Sequence, residues 1–519
     1  MLINKKHIRI LCAVITLTVG IILGVWQTRP PRVNKSSSTY PAYERMMANL
    51  QKLAEKPHPS NSEEIKIVRA QLLEEIENMG LTPIIQDIVF TREDLKDIIF
   101  FDGNHVSSFD ELWEKFQEYI AKNLDIHSFD ELIEFYDNYQ IEKIYDQVDE
   151  DGQIVLQNIL VKLDAPGTDR GVLFVAHYDS AYSQPGVPRR LSAVPGAADD
   201  MLGVVSFLEA LRAQAQSKTL KTDLYFLFSD GEEQLITIRE GTEKKRTEGT
   251  QKFVKEYPEL KDKIDLVVNF EARGCSGALT LFETSPNAFR LIKALKKSGA
   301  WLYGFSAEAK LYRNSPFGTD LTTFLYEGYN GLNFAAYEGF RVYHTIYDTY
   351  ENINRATAWN YLQTALSFAD YAANNTLENL RKPSRNAVFF PFLPGRIVLM
   401  TDIVSHILCA IAVFLALAVI ALDVKNRRLK PALSTVLMCL LIPASIICAI
   451  FYSEISYILY IPLLLLAITS LIKKWPKVHL AVKMVSGVIV LMLWVPMILL
   501  LWHGEVVLMI ILKIYDYMM

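Results

Sequence analysis

The segments GVLFVAHYD (171–179), TDLYFLFSDGEE (222–233) and IDLVVNFEA (264–272) are apolar runs that each end in residues able to bind a metal ion. Short β-branched and aromatic runs of this kind are typical of buried parallel strands. The helical pattern of residues 201–216 supplies the crossover that two parallel strands require. Ligands of open α/β sheets bind beyond the carboxyl ends of the strands. We therefore predict an α/β domain, with a mixed, mostly parallel central sheet flanked by helices, and a metal site at that edge.

Composition separates this domain from two membrane-like parts. Of the 519 residues, 51% are hydrophobic, and the apolar excess lies near the N-terminus and after about residue 396. A net charge of −5 gives no basis for a nucleic-acid partner. Of the five cysteines, only Cys275 lies in the polar part. No disulfide can form within that part, so cysteine usage does not decide the compartment.

The N-terminal part, residues 1–28, has the pattern of a membrane anchor. Residues 10–28 are uncharged and follow Lys5, Lys6 and Arg9, and a spanning helix needs roughly 20 such residues. Basic residues before the run predict a cytoplasmic N-terminus and an extracytoplasmic domain after it. A cleaved signal peptide is the alternative, but no small-x-small site follows Trp26, which favours an uncleaved anchor.

The C-terminal part, residues 396–519, has four uncharged runs at 403–422, 431–453, 455–472 and 484–502. Each is expected to span a bilayer, so we predict a multi-pass membrane protein in contact with lipid. The basic residues of 425–430 and 473–483 fall on the cytoplasmic side if the α/β domain is extracytoplasmic, and Glu454 falls on the other side. The two ends of the chain therefore predict the same orientation.

The domain between them is expected to cover residues 29–390. It begins with two helical patterns separated by KPHPSNS (56–62), in which Ser62 opens the second helix and His58 is a turn residue rather than a ligand. Residues 101–150 are an acidic, aromatic-rich helical insertion in which SFDEL occurs at 108–112 and again at 128–132. Residues 158–163 and 171–176 are expected to be adjacent strands joined by a turn.

Five short motifs carry the candidate chemistry: HYD (177–179), PGAADD (195–200), DGEE (230–233), Glu271 and YHT (343–345). Histidines and carboxylates without cysteine suit zinc or a similar divalent ion. One aspartate can bridge two ions, and two ions can hold both the attacking water and a scissile carbonyl. Zinc lowers the pKa of bound water from 15.7 to about 7, so hydroxide is available at neutral pH. A spare carboxylate can act as general base, and Glu232 and Glu233 offer one residue for each task.

The order HxD, GAxDD, GEE, a later acid and YHTxxDT resembles the di-zinc aminopeptidases of the bacterial leucyl aminopeptidase and aminopeptidase Y type. This family also includes glutamate carboxypeptidase and glutaminyl cyclase. The resemblance covers roughly residues 40–380. Membrane-anchored members, which resemble the endoplasmic-reticulum metallopeptidase, add a multi-span C-terminal part. Five motifs in order make the resemblance specific, whereas any one alone would be weak.

The resemblance implies a role for each matching residue. His177 and Glu271 would bind one zinc ion, Glu233 and His344 a second one, and Asp199 would bridge the two. Glu232 would be the general base. Asp179 would orient the His177 ring by accepting its other N–H, as is common for metal-bound histidines.

Further residues would support the site. The resemblance implies a cis peptide between Asp199 and Asp200, although this pair could also cap the following helix. Asp348 is expected to hold the loop that carries His344, and Cys275 to be an inert core thiol. Residues 239–248 depart from the family as a charged insertion, which could gate access or be a solvated loop. Residues 315–324 resemble the stretch that shapes the substrate pocket.

These features together predict a membrane-anchored zinc exopeptidase, an aminopeptidase, that acts on peptides with two zinc ions per chain. A carboxypeptidase or glutaminyl cyclase on the same fold is the first alternative. A receptor or scaffold without catalysis is the second, and the retained base and ligands argue against it. A transporter is disfavoured because the spans show no central charge and no repeat. The sequence leaves side-chain preference and oligomeric state open.

Overall fold

The computed structural model describes residues 5–91, 153–181, 194–217, 219–233, 247–315, 317–382, 384–425, 433–474 and 476–503. The predicted insertion at 101–150 and residues 239–246 of the charged loop lie outside these ranges. The described strands are β1 (Ile84–Thr91), β2 (Gln153–Leu163), β3 (Gly171–His177), β4 (Asp223–Ser229), β5 (Ile264–Ala272), β6 (Thr280–Thr284), β7 (Gly331–Ala336), β8 (Ala387–Leu393) and β9 (Arg396–Thr401).

The described helices flank this sheet or follow it. They are α1 (Lys5–Gln27), α2 (Tyr40–Leu53), α3 (Glu63–Glu77), α4 (Leu202–Ala215), α5 (Glu248–Glu256), α6 (Leu260–Lys263), α7 (Phe289–Lys297), α8 (Ser306–Arg313), α9 (Asp320–Tyr326), α10 (Arg355–Asn374), α11 (Asp402–Lys425), α12 (Leu433–Phe451), α13 (Tyr457–Leu471) and α14 (Pro476–His503). The Ser62 hydroxyl accepts the N–H of Ile65 and caps α3, as predicted.

The central sheet has seven strands in the order β1-β2-β4-β3-β5-β7-β6. The four strands β4, β3, β5 and β7 are parallel, and the outer strands β1, β2 and β6 join in antiparallel pairs. The predicted fold class, a mixed sheet with a parallel centre and flanking helices, is confirmed.

The expected adjacency of residues 158–163 and 171–176 is wrong, because β4 lies between β2 and β3. After β3, the chain crosses over through α4 and enters β4. Strand β4 pairs with β3 on the side where β2 was expected. Residues 164–170 pass the start of β4: the N–H of Ala165 donates to the Asp223 carboxylate at 2.7 Å, and the N–H of Asp223 donates to the Arg170 carbonyl at 2.8 Å. Neighbouring strands are about 4.8 Å apart, so the seven residues 164–170 are long enough to pass β4 and reach β3.

Both faces of the parallel centre are buried. Strand side chains alternate between the two faces of a sheet, so Val172 and Phe174 enter one core with α2, α4 and α10, whereas Leu173 and Val175 enter the other with α5 and α9. This double burial explains why these strands are continuous apolar runs in the sequence. The first polar residue after each run therefore marks the edge of the sheet.

A third core joins the α/β domain to the C-terminal helices. It contains Phe282 and Tyr312 of the domain together with Tyr457 and Tyr460 of α13. The turn before α13 also packs on α8: Arg313 forms an ion pair with Glu454 at 2.7 Å, and the Ser306 hydroxyl donates to the Glu454 carbonyl at 2.7 Å. The predicted boundaries at residues 29–390 and 396–519 stay a prediction, because packing is continuous across this junction.

Four described helices are long and apolar enough to cross a membrane: residues 7–27 of α1, α11, α12 and residues 478–499 of α14. The third C-terminal run, expected to span at 455–472, forms only the 15 residues of α13. Residues 452–456 belong instead to the turn against α8. At 1.5 Å per residue, α13 is about 22 Å long, below the ~30 Å of a hydrocarbon core. The helix is therefore shorter than the run expected to span, and a third span at this place stays a prediction.

Helix α1 packs on α14 through glycines. A Cβ atom at Gly20 would lie 2.5 Å from Leu491 Cδ1, and one at Gly24 would lie 2.7 Å from Val495 Cβ. Glycines four residues apart share a helix face, and this spacing is a common contact between membrane helices. The N-terminal helix is thus part of the C-terminal bundle.

Replacing Glu454 with glutamine should lower the free energy of unfolding by about 3 kcal/mol. The substitution leaves Arg313 charged in a site where the two side chains are 15% and 8% exposed, and removing one partner of a buried pair is costly. Denaturant unfolding of the full chain in detergent, followed by tryptophan fluorescence, measures the change. The control is Glu63→Gln, whose ion pair with Lys66 is exposed and should matter by less than about 1 kcal/mol. Equal shifts for both variants would contradict the structural role of the pair.

Substitution of Gly24 with leucine should separate α1 from α14, because the new side chain has no space beside Val495. Disulfide crosslinking between cysteines introduced at Thr16 and Gly487, positions that meet across the two helices, reports the contact in membranes. The exposed residue Ile22 provides the control, Ile22→Leu, which should crosslink like the parent. Undiminished crosslinking in the Gly24→Leu chain would show that the packing of α1 on α14 does not depend on the glycine face of α1.

Candidate metal centre

The candidate ligands meet at the carboxyl edge of the parallel strands. His177 is the last residue of β3, Glu271 lies at the end of β5, and Glu233 follows the end of β4. These three strands are neighbours. Asp199 comes from the helical turn Ala197–Met201 before α4, and His344 from the loop after β7. The topology therefore brings together all five residues that the sequence selected.

Their side chains form two groups that share Asp199. In the first group, His177 Nε2 lies 3.5 Å from Asp199 Oδ1 and 3.8 Å from Glu271 Oε2. In the second, His344 Nε2 lies 3.2 Å from Asp199 Oδ2 and 3.0 Å from Glu233 Oε1. The two carboxylate oxygens of Asp199 therefore face different groups.

The donor set fits two divalent metal ions. Two ligands held 2.0–2.1 Å from a tetrahedral zinc ion are about 3.3 Å apart, close to the separations found here. His177 Nε2 and Asp199 Oδ2 are buried without a hydrogen bond, an arrangement that is unfavourable unless a further partner binds. Each group offers three ligand atoms within 4.8 Å of one another.

Electrostatics favour a cation at the same place. Burial raises the pKa of Glu271, and the nearby Glu232 charge raises it further. Burial lowers the pKa of His344, but Glu233 and Asp199 outweigh it and raise this pKa to about 10. Without metal, Glu271 and His344 therefore hold a proton more tightly than they would in water. Metal binding at such a site displaces protons and should therefore strengthen as pH rises.

Asp179 lies beside the His177 ring, where the prediction placed it, and has further contacts. The Nδ1 atom of His177 lies 3.0 Å from the Asp179 main-chain carbonyl and 3.4 Å from its carboxylate. The carboxylate also accepts the N–H groups of Glu232 at 3.2 Å and Glu233 at 3.0 Å. Asp179 thus orients the Glu232–Glu233 segment as well as His177, a role that spacing alone did not indicate.

A buried polar network supports Asp179 from behind. The Ser60 hydroxyl lies 3.0 Å from Asp179 Oδ2 and 2.7 Å from Asp230 Oδ1. Arg69 pairs with Asp230 at 3.2 Å. Sequence reasoning missed Ser60 and Arg69, because nothing in their local pattern links them to residues more than 100 positions away. His58 is buried, with Nδ1 2.8 Å from the Lys56 carbonyl, consistent with a turn residue.

The segment carrying Asp199 is held by Asp348. The carboxylate of Asp348 accepts the N–H of Ala198 at 2.8 Å and that of Asp199 at 3.1 Å. Asp348 was expected to hold the loop that carries His344, but its carboxylate contacts the segment that carries Asp199. The Asp199–Asp200 peptide is cis, as the resemblance implied. Neither acid caps α4 through a side-chain hydrogen bond.

A cavity of about 340 Å³ opens beside the two groups. Its polar wall includes Glu232, whose carboxylate lies within 4.8 Å of ligand atoms of His177 and Glu233. Residues 317–319, part of the predicted pocket stretch, also line it, whereas Cys275 is buried away from it. The described lining residues are Asp199, Glu232, Glu233, Glu271, Ala272, Arg273, Phe282, Tyr312, Phe317, Gly318, Thr319, Ala335, Tyr343 and His344.

Part of the α/β domain matches a known peptidase family. Residues 158–369 match the model of peptidase family M28. This segment, which holds all five candidate metal ligands, is therefore similar to the M28 peptidases. The predicted resemblance is confirmed at this level, and the M28 match supports assignment to the metallopeptidases, which are hydrolases.

Two of the relatives that this chain matches are vacuolar membrane proteases. The chain is 27% identical over 238 residues to a vacuolar membrane protease of Lachancea thermotolerans and 29% identical over 241 residues to one of Saccharomyces cerevisiae. Each alignment covers 46% of this chain and 22% of the relative, so the chain spans less than a quarter of these relatives. A Zn-dependent exopeptidase from Parabacteroides distasonis is 18% identical, with a TM-score of 0.41 over 66% of this chain and 99% of that chain.

Replacing Asp179 with asparagine should weaken zinc binding roughly 10- to 100-fold, the usual cost of losing a supporting contact around metal ligands. An amide cannot accept both N–H groups of the Glu232–Glu233 segment with the strength of a carboxylate. Competition with a chromophoric zinc chelator measures the change. The control Asp164→Asn alters a largely exposed carboxylate and should leave affinity unchanged. Parent-like affinity in the Asp179→Asn chain would refute the supporting role.

Proposed function

We propose that the chain is a membrane-anchored zinc exopeptidase that removes N-terminal residues from peptides. The observation that carries the proposal is the sharing of Asp199: its two oxygens face two histidine-carboxylate groups beside one cavity. Such an arrangement suits two metal ions that act together on one bond. The M28 match supports the peptidase class, and the aminopeptidase specificity rests on the motif resemblance.

Five residues would hold two zinc ions: His177 and Glu271 one ion, Glu233 and His344 the other, with Asp199 between them. Zinc at such sites acidifies water and polarises a carbonyl. Glu232 would accept a proton from the attacking water and deliver it to the leaving amine. The N–H groups of Glu232 and Glu233 donate to Asp179, and these contacts would hold the base and the neighbouring ligand in fixed positions.

The same proposal places the M28 domain on the extracytoplasmic side. Lys5, Lys6 and Arg9 lie at the start of α1, before its uncharged run. Further basic residues lie in 425–430 and 473–483, which favours a cytoplasmic location for these segments. The Glu454 turn packs on the domain, in keeping with the opposite side. Packing of Gly20 and Gly24 on α14 supports an uncleaved anchor.

Replacing Glu232 with glutamine should lower kcat by about 10²- to 10⁴-fold, because the proton acceptor is lost, while zinc content is retained. The full chain in detergent is the right material, since the domain and the membrane helices share a core. Its hydrolysis of free-amine, acetylated, C-terminally amidated and N-terminal glutamine peptides is followed together with metal content. The control Glu351→Gln changes an exposed glutamate and should behave like the parent.

The peptide panel separates the alternatives. Cleavage of acetylated peptides from their free C-terminus would indicate a carboxypeptidase, and cyclisation of N-terminal glutamine a glutaminyl cyclase. Zinc binding without turnover of any peptide would favour a receptor or scaffold. A Glu232→Gln chain with undiminished turnover would refute the assignment of the base.

A further inference from the structure

Arg273 stands at the end of β5, two residues beyond Glu271. Its N–H donates to the Ala336 carbonyl at 3.0 Å, so the ladder between β5 and β7 continues to this position. Alternation along a strand places Glu271 and Arg273 on the same face. Both residues line the cavity. Arg273 is therefore a neighbour of the candidate metal centre by backbone geometry.

Two aromatic rings fix the guanidinium group of Arg273. Its Cζ atom lies 4.9 Å from the centroid of Tyr343 and 5.5 Å from that of Phe317. The Tyr343 ring in turn stacks on the His344 imidazole, with centroids 3.8 Å apart. Cation–π contacts use the faces of a guanidinium, whereas its five N–H donors lie in the plane. Stacking and recognition of a carboxylate are thus compatible.

Arg273 contributes positive charge to a cavity wall that is otherwise rich in acidic residues. The lining acids are Asp199, Glu232, Glu233 and Glu271, and the proposed function assigns three of them to zinc and one to proton transfer. Among the lining residues that the structure describes, Arg273 is the only lysine or arginine. Aromatic side chains form much of the remaining wall. A substrate carboxylate that enters this cavity would find its complementary charge at Arg273.

We infer that Arg273 is a specificity-determining residue that pairs with a carboxylate of the substrate next to the scissile bond. The inference rests on the proposed peptidase function. An arginine fork matches a carboxylate in two parallel hydrogen bonds. The carboxylate can come from an acidic N-terminal side chain or from the C-terminus of a dipeptide. The chemistry is the same in both cases, and two pairs of peptides distinguish them.

The test compares kcat/KM within matched peptide pairs on the zinc-loaded full chain. Asp-Ala amide against Asn-Ala amide tests the side chain, and Leu-Ala acid against Leu-Ala amide tests the C-terminus. The parent should prefer the carboxylate at least tenfold in one pair, mainly through KM. Arg273→Met should bring that ratio close to one, and Arg273→Lys should retain part of it. The control Arg341→Met alters an exposed arginine outside the described cavity wall and should keep the parent ratio.

Two results would overturn the inference. One is a parent with no preference in either pair. The other is an Arg273→Met chain in which both members of a pair lose activity equally, since this would show a structural role through Tyr343 and His344.

Binding separates this inference from the proposed function. Calorimetric titration measures peptide binding without turnover. The Glu232→Gln chain, with and without Arg273→Met, is titrated with Asp-Ala amide and Asn-Ala amide. The same titrations are made with the two Leu-Ala peptides. Preferential binding that is lost with Arg273→Met would support the inference even if the parent hydrolysed nothing. Hydrolysis by the parent without any carboxylate preference in turnover or binding would leave the peptidase proposal standing and refute the role of Arg273.

Discussion

Three carboxylates, Asp199, Glu233 and Glu271, enter one buried space, and the rest of the site is arranged around the repulsion between them. Bringing like charges out of water is unfavourable unless cations and hydrogen-bond donors compensate. The two histidines face the carboxylates directly. Behind them, main-chain N–H groups point at Asp179 and Asp348 instead of remaining unpaired. The loops after β3, β4 and β7 are thereby fixed at one point.

Much of the fold was predictable because the sheet centre is buried on both sides. Its strands are continuous apolar runs, and the first polar residue after each run marks the edge where ligands gather. His177, Glu233 and Glu271 follow from this rule together with the motif order. Asp199 and His344 needed the resemblance, because they come from connections rather than strand ends.

Local sequence patterns could not predict the pairings between residues that are far apart in the chain. The position of β4 between β2 and β3 depends on how a crossover returns, and two neighbouring runs in sequence do not determine it. The carboxylate contacts of Asp179 and Asp348 depend on backbone N–H directions, which have no sequence signature. The apolar run at 455–472 was long enough to span, but its first residues pack in a turn against α8 and shorten the helix.

The short helix α13 has a consequence for the surrounding lipid. A helix about 22 Å long is mismatched with a hydrocarbon layer of ~30 Å, and bilayers respond to such a mismatch by thinning locally. Because α13 shares a core with the α/β domain, thinning beside it would bring the adjacent domain surface closer to the headgroups. Strand β8 ends with Phe392 and Leu393, which are 48% and 42% exposed. In a thinned bilayer these side chains would lie at the headgroup level, so that membrane thickness would set how deeply the α/β domain is seated.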